Sequence, residues 1–380
     1  MKVNQSRQRV VAALSFEQPD VLPLWDHYWP EFIEQWRAAK GLLEADDHAI
    51  DAYYGNDVLL SRANEEPWPS QAAKLEGGEA VGAYSHPGRA GTPDEEYSIS
   101  RNGWGAVVQM TRGSYFSKEL SVALEERVDP DTLVFENPRL ESRYKESDAI
   151  VRKWGRDRAI FAKTGGPFRR ASFLRGYEQF LIDFAEDPDW VRSLVEHVMA
   201  HLTAVGVEQI RRSRPILAGI QINDDCCSLR GPLISPRAYE SICLPSLRRM
   251  VRAYKEAGVP HVCMHCDGNV MRLVEMWVDA GIDSINPCEP RAGVDVFALR
   301  ETYGRKLAFA GAMDNCIILP RGDRGEIETH IRRLAELGQD GGLVLGGHSI
   351  GPDISIESYE WAMATRRKYG TGAYKTWGRT

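Results

Sequence analysis

No apolar run in this sequence approaches the about 20 residues that a membrane-spanning helix needs, so a membrane-embedded function is not expected. The first residues, Met1 to Gln8, are polar and form no apolar signal core, and a cytoplasmic location is the expectation. Positive charge is also short. The 47 Lys and Arg against 54 Asp and Glu leave a net charge of -7, which argues against nucleic acid or an anionic membrane as the main partner. A disulfide framework is missing as well. The seven cysteines, Cys226, Cys227, Cys243, Cys263, Cys266, Cys288 and Cys316, are odd in number, confined to the second half and without paired spacing. Free thiols in a reducing compartment, some available as metal ligands, fit that pattern. No strand leads through GxGxxG into a helix, so a Rossmann dinucleotide site has no support.

What is present is a strand–helix alternation. The opening SRQRVVAALSFEQPDVLPL reads as a short helix with an apolar face of Val10, Val11, Ala13 and Leu14, followed by a strand that runs into the aromatic cluster Trp25, Tyr28 and Trp29. Residues 50 to about 130 hold short strand-like pieces, DVLLSR, AVGAYS and EEYSISRNGWGAVVQMTRG, between turns. They predict a β-rich insertion after the first strand. From about 158 the alternation is regular: AIFAKTG, ILAGIQIND, HVCMHCDG, SINPCEP, LAFAGAMD and GLVLGGHS are strands, each followed by an amphipathic helical stretch. An open parallel sheet and a closed barrel share this pattern. The number of units favours a (β/α)8 TIM barrel, with the whole chain, 1–380, as a single domain. In a barrel, functional groups gather where strands end.

Polar residues stand at those ends: Asn223, Asp224, Asp225; His265, Cys266, Asp267; Asn286, Cys288, Glu289; Asp314, Asn315; and His348. Their recurrence at one end of successive units predicts a shared site. On a strand alternate residues face one way, so His265 and Asp267 point together and Cys266 points away. Two ligands two apart at a strand end suit zinc, and His348 at a later strand end supplies a third. A hydrogen-bonded loop histidine beside a buried thiol is the plain alternative. Asp224 and Asp225 are candidates for a general acid or base or for orienting a substrate cation; adjacent carboxylates face apart, so at most one is expected to touch substrate, and capping the start of a helix is the plain alternative for either. Cys226 and Cys227 read as packing residues. Trp25 and Tyr28 are candidates for lining a substrate pocket, and Asn223, Asn286 and Glu289 for binding substrate. Of Arg169, Arg170 and Arg175, at least two are expected on a solvated surface.

These stretches together resemble the uroporphyrinogen decarboxylase superfamily. The opening SRQRVVAALSFEQPDVLPL, NGWGAVVQ, GPFRRASFLRGYEQFLIDFAEDPDWV, INDDCCSLRGPLISPRAYESICLPSLRRMV, HCDGNVMRLVEMWVDAGIDSINPCEP and GGHSIGPDISIESYEWAMATRRKYG follow that family's order over nearly the whole chain. The decarboxylase branch carries an Arg-rich loop after its first strand. PLWDHYWPEF stands there in this chain and has no Arg, so porphyrinogen decarboxylation is not expected. In the corrinoid-linked methyltransferase branch, zinc is held by His-x-Cys and a later Cys. The resemblance implies that His265 takes the place of that His, Asp267 the place of the first Cys and His348 that of the later Cys. A His/Asp/His set is harder than His/Cys/Cys and suits an ether, hydroxyl or amine better than a thiolate.

The resulting expectation is a zinc-dependent methyltransferase, with Asp225 and His265 catalytic and His265, Asp267 and His348 on the metal. It moves a methyl group between a small methoxylated or methylated compound and a corrinoid protein. The chain lacks its own cobalamin signature: Asp46-Asp47-His48 begins the pattern D-x-H-x-x-G, but Asp51 stands where Gly is required. The corrinoid therefore comes from a partner, and a homodimer is compatible with the sequence. A metal-assisted decarboxylase or lyase, and a non-catalytic barrel that binds a ligand or a corrinoid protein, are the two other readings.

Overall fold

The protein is described from a computed structural model over residues 4–76, 97–111 and 117–371. Its strands are β1 (Val58–Arg62), β2 (Ala73–Glu76), β3 (Tyr97–Arg101), β4 (Val107–Thr111), β5 (Lys118–Ser121), β6 (Ala159–Gly165), β7 (Leu217–Asn223), β8 (Cys227–Ser228), β9 (Gly231–Pro232), β10 (Val262–His265), β11 (Ser284–Asn286), β12 (Ala308–Ala312) and β13 (Leu343–Gly346). Seven of them form one parallel sheet in the order β1-β6-β7-β10-β11-β12-β13. Strands such as β7 are buried throughout because helices cover one face and barrel packing the other. Helices start on side-chain caps at Asp187, Ser235, Asp295, Asp323 and Ser355, whose oxygens accept a free backbone N–H.

Residues 22–26 close the ring. Leu345 N–H donates to the Pro23 carbonyl at 2.9 Å and Trp25 N–H to the Leu345 carbonyl at 2.8 Å, while Asp57 N–H reaches the Leu24 carbonyl at 2.9 Å on the β1 side. Pro23 has no N–H to give, which keeps this eighth position to isolated bridges rather than a full ladder. The approach needs Gly346, where a Cβ would fall 2.0 Å from the Trp25 carbonyl oxygen.

The barrel interior holds Trp25, Val58, Ala159, Phe161, Ala218, Cys263, Ala308, Ala310 and Val344, and the helix Gln5–Leu14 with Phe16 packs beneath them through Val10, Ala13 and Leu14. The antiparallel sheet β2-β3-β4-β5 is the β-rich insertion. DVLLSR, grouped with the insertion by its sequence, belongs to the barrel as β1, so the insertion starts beyond it. AVGAYS lies outside the described residues.

Arg170 and Arg175 are corrections to the surface reading. Arg170 is 2% exposed and its Nε donates to Glu65 at 2.6 Å; Arg175 is 6% exposed and its Nε donates to Asp183 at 2.7 Å. Glu65 also accepts from the Thr164 hydroxyl and Gly165 N–H, which ties β6 to the helix Pro167–Arg175. Breaking a buried pair leaves a charge without compensation. Arg170→Met is expected to cost about 3–5 kcal/mol, read as a lower urea midpoint.

Candidate metal centre and active site

Alternation along the strands sets which side chains meet over the barrel. Val58 and Leu60, Ala159 and Phe161, and Cys263 belong to the interior cluster. Continuing the same faces places Arg62, Lys163 and His265 at the carboxyl ends of β1, β6 and β10, with Asp267 two residues on. Val344 points inward in the same way and leads through Gly346 to His348.

Three of these side chains converge. His265 Nε2 lies 3.6 Å from Asp267 Oδ1, and His348 Nε2 lies 3.4 Å from that same oxygen. Their ligand atoms all fall within 4.8 Å of one another. Asp225 Oδ1 approaches His265 Nε2 at 3.8 Å. His265 is buried, whereas the Asp225, Asp267 and His348 side chains are 39%, 42% and 37% exposed, so the group opens toward solvent on one side.

The tautomer of His265 follows from its neighbour. Asn286 Oδ1 accepts from Gln221 Nε2 at 3.1 Å, and Asn286 Nδ2 donates to the Ala310 carbonyl at 2.8 Å. The oxygen 2.5 Å from His265 Nδ1 is therefore an acceptor, Nδ1 carries the proton, and the Nε2 lone pair faces the carboxylates. Burial lowers the His265 pKa, which keeps the ring neutral and able to ligate, against the opposite pull of Asp267 and Asp225. Asn286→Ala is expected to weaken metal binding by about 10–100-fold, measured by competition with a chelator, because an orienting partner is lost.

The donor set fits a metal ion. Asp267 Oδ1 is buried and has no hydrogen-bond partner among the described residues, although two imidazole nitrogens flank it. A buried carboxylate oxygen without a donor is costly unless a cation takes that role. Zinc bonds of about 2.0–2.1 Å in a tetrahedron put ligand atoms about 3.3 Å apart. The 3.4 and 3.6 Å separations are close to that.

Neighbouring polar groups hold the surrounding backbone in place. Asp224 is fully buried, accepts from Arg169 N–H at 2.8 Å and starts the helix Pro167–Arg175; burial pushes its pKa up to about 7. Asp225 faces the opposite way, into the site. Burial would raise its pKa, but His265 and Arg169 bring it below the usual value. Glu289 accepts from Gly268 N–H at 2.6 Å and so fixes the turn that follows Asp267. Asn223 is buried and its Oδ1 has no hydrogen-bond partner among the described residues. Trp25 packs inside the barrel with its ring centroid 4.7 Å from that of Phe161. Tyr28 is a correction. Its hydroxyl pairs with that of Tyr359 at 2.8 Å, and its ring packs among Phe32, Tyr54 and Tyr359 on the helix side, so it does not reach the site. Asp314 caps its own turn through Cys316 and Ile317 N–H, and Asn315 donates to the Ser349 carbonyl at 2.6 Å.

Sequence reading passed over three groups. Asp26 is buried, accepts from Gly347 N–H and the Tyr359 hydroxyl, each at 2.6 Å, and thereby sets the loop that carries His348. Arg62 and Lys163 are register partners on β1 and β6. Among the described residues neither side chain takes part in a hydrogen bond or ion pair. Burial, with Arg62 adding to it, brings the Lys163 amine down to about 7 against the opposite pull of Asp225, Glu65 and Asp267. The available signals were a lysine inside the apolar strand AIFAKTG and an arginine closing VLLSR.

A ring of parallel strands, plugged below by a helix and carrying convergent imidazoles and carboxylates above, defines an α/β barrel with a polar centre at its strand ends. The sequence pattern of the uroporphyrinogen decarboxylase (URO-D) family matches residues 103–369, and the chain belongs to that family. Among solved structures it is similar to a methyltransferase from Methanosarcina mazei, with a TM-score of 0.67 at 15% identity over 96% of this chain and 98% of that one. At that identity the likeness is one of fold. Matches to a B12-independent methionine synthase from Shewanella sp. W3-18-1 (TM-score 0.41, 12% identity, 96% of each chain) and to a putative one from Listeria monocytogenes (TM-score 0.38, 12% identity, 96% and 99%) carry no argument. No curated protein matches the sequence. Among the described residues no helix is long and apolar enough to cross a membrane.

Proposed function

We propose that this chain is a metal-dependent methyltransferase that demethylates a small methoxylated or N-methylated acid, with a separate corrinoid protein receiving the methyl group. The observation that carries the reading is the unpartnered Asp267 oxygen between the nitrogens of His265 and His348. Family membership and the shared fold with a methyltransferase support it.

His265, Asp267 and His348 would hold zinc, which supplies Lewis acidity to the heteroatom that bears the methyl group while the partner's reduced corrinoid takes that group. Asn286 keeps the His265 lone pair aimed at the site. Asp225, partly exposed and ionised, orients the substrate's heteroatom or the proton that the leaving group takes. Arg62 and Lys163, half-buried and without a side-chain hydrogen bond or ion pair among the described residues, favour an anionic end on the substrate, since cations withdrawn from water are ordinarily paired. Asn223, with a free buried acceptor, and Glu289 and Trp25 complete the wall and floor. The whole chain, 1–380, acts as one barrel domain.

The test is a panel of methoxylated and N-methylated acids, each beside its uncharged amide, incubated with cob(I)alamin and followed by absorbance for methylcobalamin. An acid should react and its amide should not. Carbon dioxide release without methylcobalamin would move the assignment to a lyase, and binding without turnover to a non-catalytic barrel.

A further inference from the structure

A second cluster of ligating groups lies behind the first. Cys226 and Cys266 are buried and Cys227 is half-buried. The three sulfurs lie within 4.8 Å of one another, with Cys226 Sγ 3.9 Å from Cys266 Sγ. Cys266 sits between His265 and Asp267 in sequence but turns to the opposite face, joining Cys226 in the layer between strands and helices.

This cluster occupies a joint. The hairpin β8–β9 lies against the turn that ends β10, with Asn269 N–H donating to the Ser228 carbonyl at 2.8 Å. Gly268, at φ +89°, permits the contact: a Cβ there would stand 2.6 Å from the Ser228 carbonyl oxygen. On the site side of the same joint, Asp267 N–H points to Asp225 Oδ1 at 3.4 Å. Whatever binds the thiols would therefore clamp the two loops that present Asp225 and Asp267.

We infer that Cys226, Cys227 and Cys266 form a second metal seat, all sulfur, for a thiophilic cation such as Zn(II), distinct from the His265/Asp267/His348 centre. Thiolates about 2.3 Å from zinc lie about 3.8 Å apart around a tetrahedron, so the 3.9 Å sulfur separation needs little adjustment. A disulfide needs about 2.0 Å and would have to draw the sulfurs much closer. Binding is proton exchange without redox: each thiol that ligates releases its proton as its sulfur forms a bond to the cation. Three thiolates suit a soft or borderline metal, whereas the imidazole–carboxylate set is harder. The inference stands apart from the proposed methyl transfer and can hold if that reading fails.

The test uses the reduced, metal-stripped full chain titrated with Co(II), with zinc content measured in parallel. Sulfur bound to cobalt gives an intense near-ultraviolet charge-transfer band that nitrogen and oxygen ligands do not. The wild type should show the band and hold two zinc equivalents. Cys226→Ser and Cys266→Ser should each lose the band and one equivalent. His265→Ala should keep the band and lose the other equivalent. No band in the wild type, or an unchanged band in both serine variants, overturns the inference. Should the serine variants not fold, alkylation of the wild type decides: zinc should protect Cys227 while Cys316, also half-buried, labels at the same rate with and without it. Equal labelling of Cys227 in the two states also overturns it.

Discussion

Lys163→Met should make the protein more stable and nearly inactive. The amine sits on the lumen face of β6, near Asp225 and Asp267 but bonded to neither. Its pKa is depressed from 10.5 to about 7, chiefly by burial. A depressed folded-state pKa means that the unfolded chain binds the proton more tightly. The lysine therefore costs nothing above about pH 10.5, costs progressively more as pH falls toward 7, and reaches a constant penalty below that. The shift sets a ceiling of roughly 5 kcal/mol, and water in the barrel mouth reduces it; a gain on the order of 2–3 kcal/mol is expected for the methionine variant at pH 7. Urea unfolding at pH 7 and pH 10 checks the sign, because the gain must shrink at the higher pH. Activity should fall by about a hundredfold or more through the Michaelis constant, as an anionic substrate loses its cation. A destabilised variant, or one with unchanged substrate affinity, would remove Lys163 from the site.

His265→Ala and Asp225→Asn should separate metal binding from substrate handling. His265 supplies the Nε2 that Asn286 aims at the cluster, so the alanine variant should lose the metal at this centre. Lewis-acid stabilisation is worth several kcal/mol, and at 1.36 kcal/mol per decade the rate should drop by about a thousandfold or more. Asp225 touches His265 only at 3.8 Å and stands on a different loop. Its asparagine variant should keep the metal and lose about a hundredfold in turnover. Asp267→Ala should lower both. Elemental analysis beside single-turnover rates reads the three variants, and parallel losses of metal in the first two would contradict the division of roles.

The parts legible in the sequence were those that depend on local periodicity. His265 and Asp267 are two apart at the end of an apolar strand, and parity alone puts them on one face and Cys266 on the other. His348 has the same relation to β13. The opposed facing of Asp224 and Asp225 is likewise a backbone property. What stayed hidden depends on contacts far apart in the chain. Tyr28 follows a barrel strand as a pocket residue would, yet Tyr359, more than 300 residues later, claims its hydroxyl. Arg170 and Arg175 read as surface charge because their partners, Glu65 and Asp183, cannot be recognised from spacing. The 22–26 segment and β1 both precede the β-rich insertion and carry a proline or a charged end, so the first strands of the ring were harder to read than the regular units after 158. Lys163 was overlooked because one lysine does not disturb the apolar pattern of its strand.

The most direct measurement of the central claim is the rate of methylcobalamin formation in chelator-stripped protein reloaded with known amounts of zinc, run beside His265→Ala. The account predicts that the wild-type rate rises in proportion to zinc bound at the imidazole–carboxylate centre and that the variant stays near zero at every zinc level. Equal rates for the two proteins, or a stripped wild type as fast as a reloaded one, would contradict it.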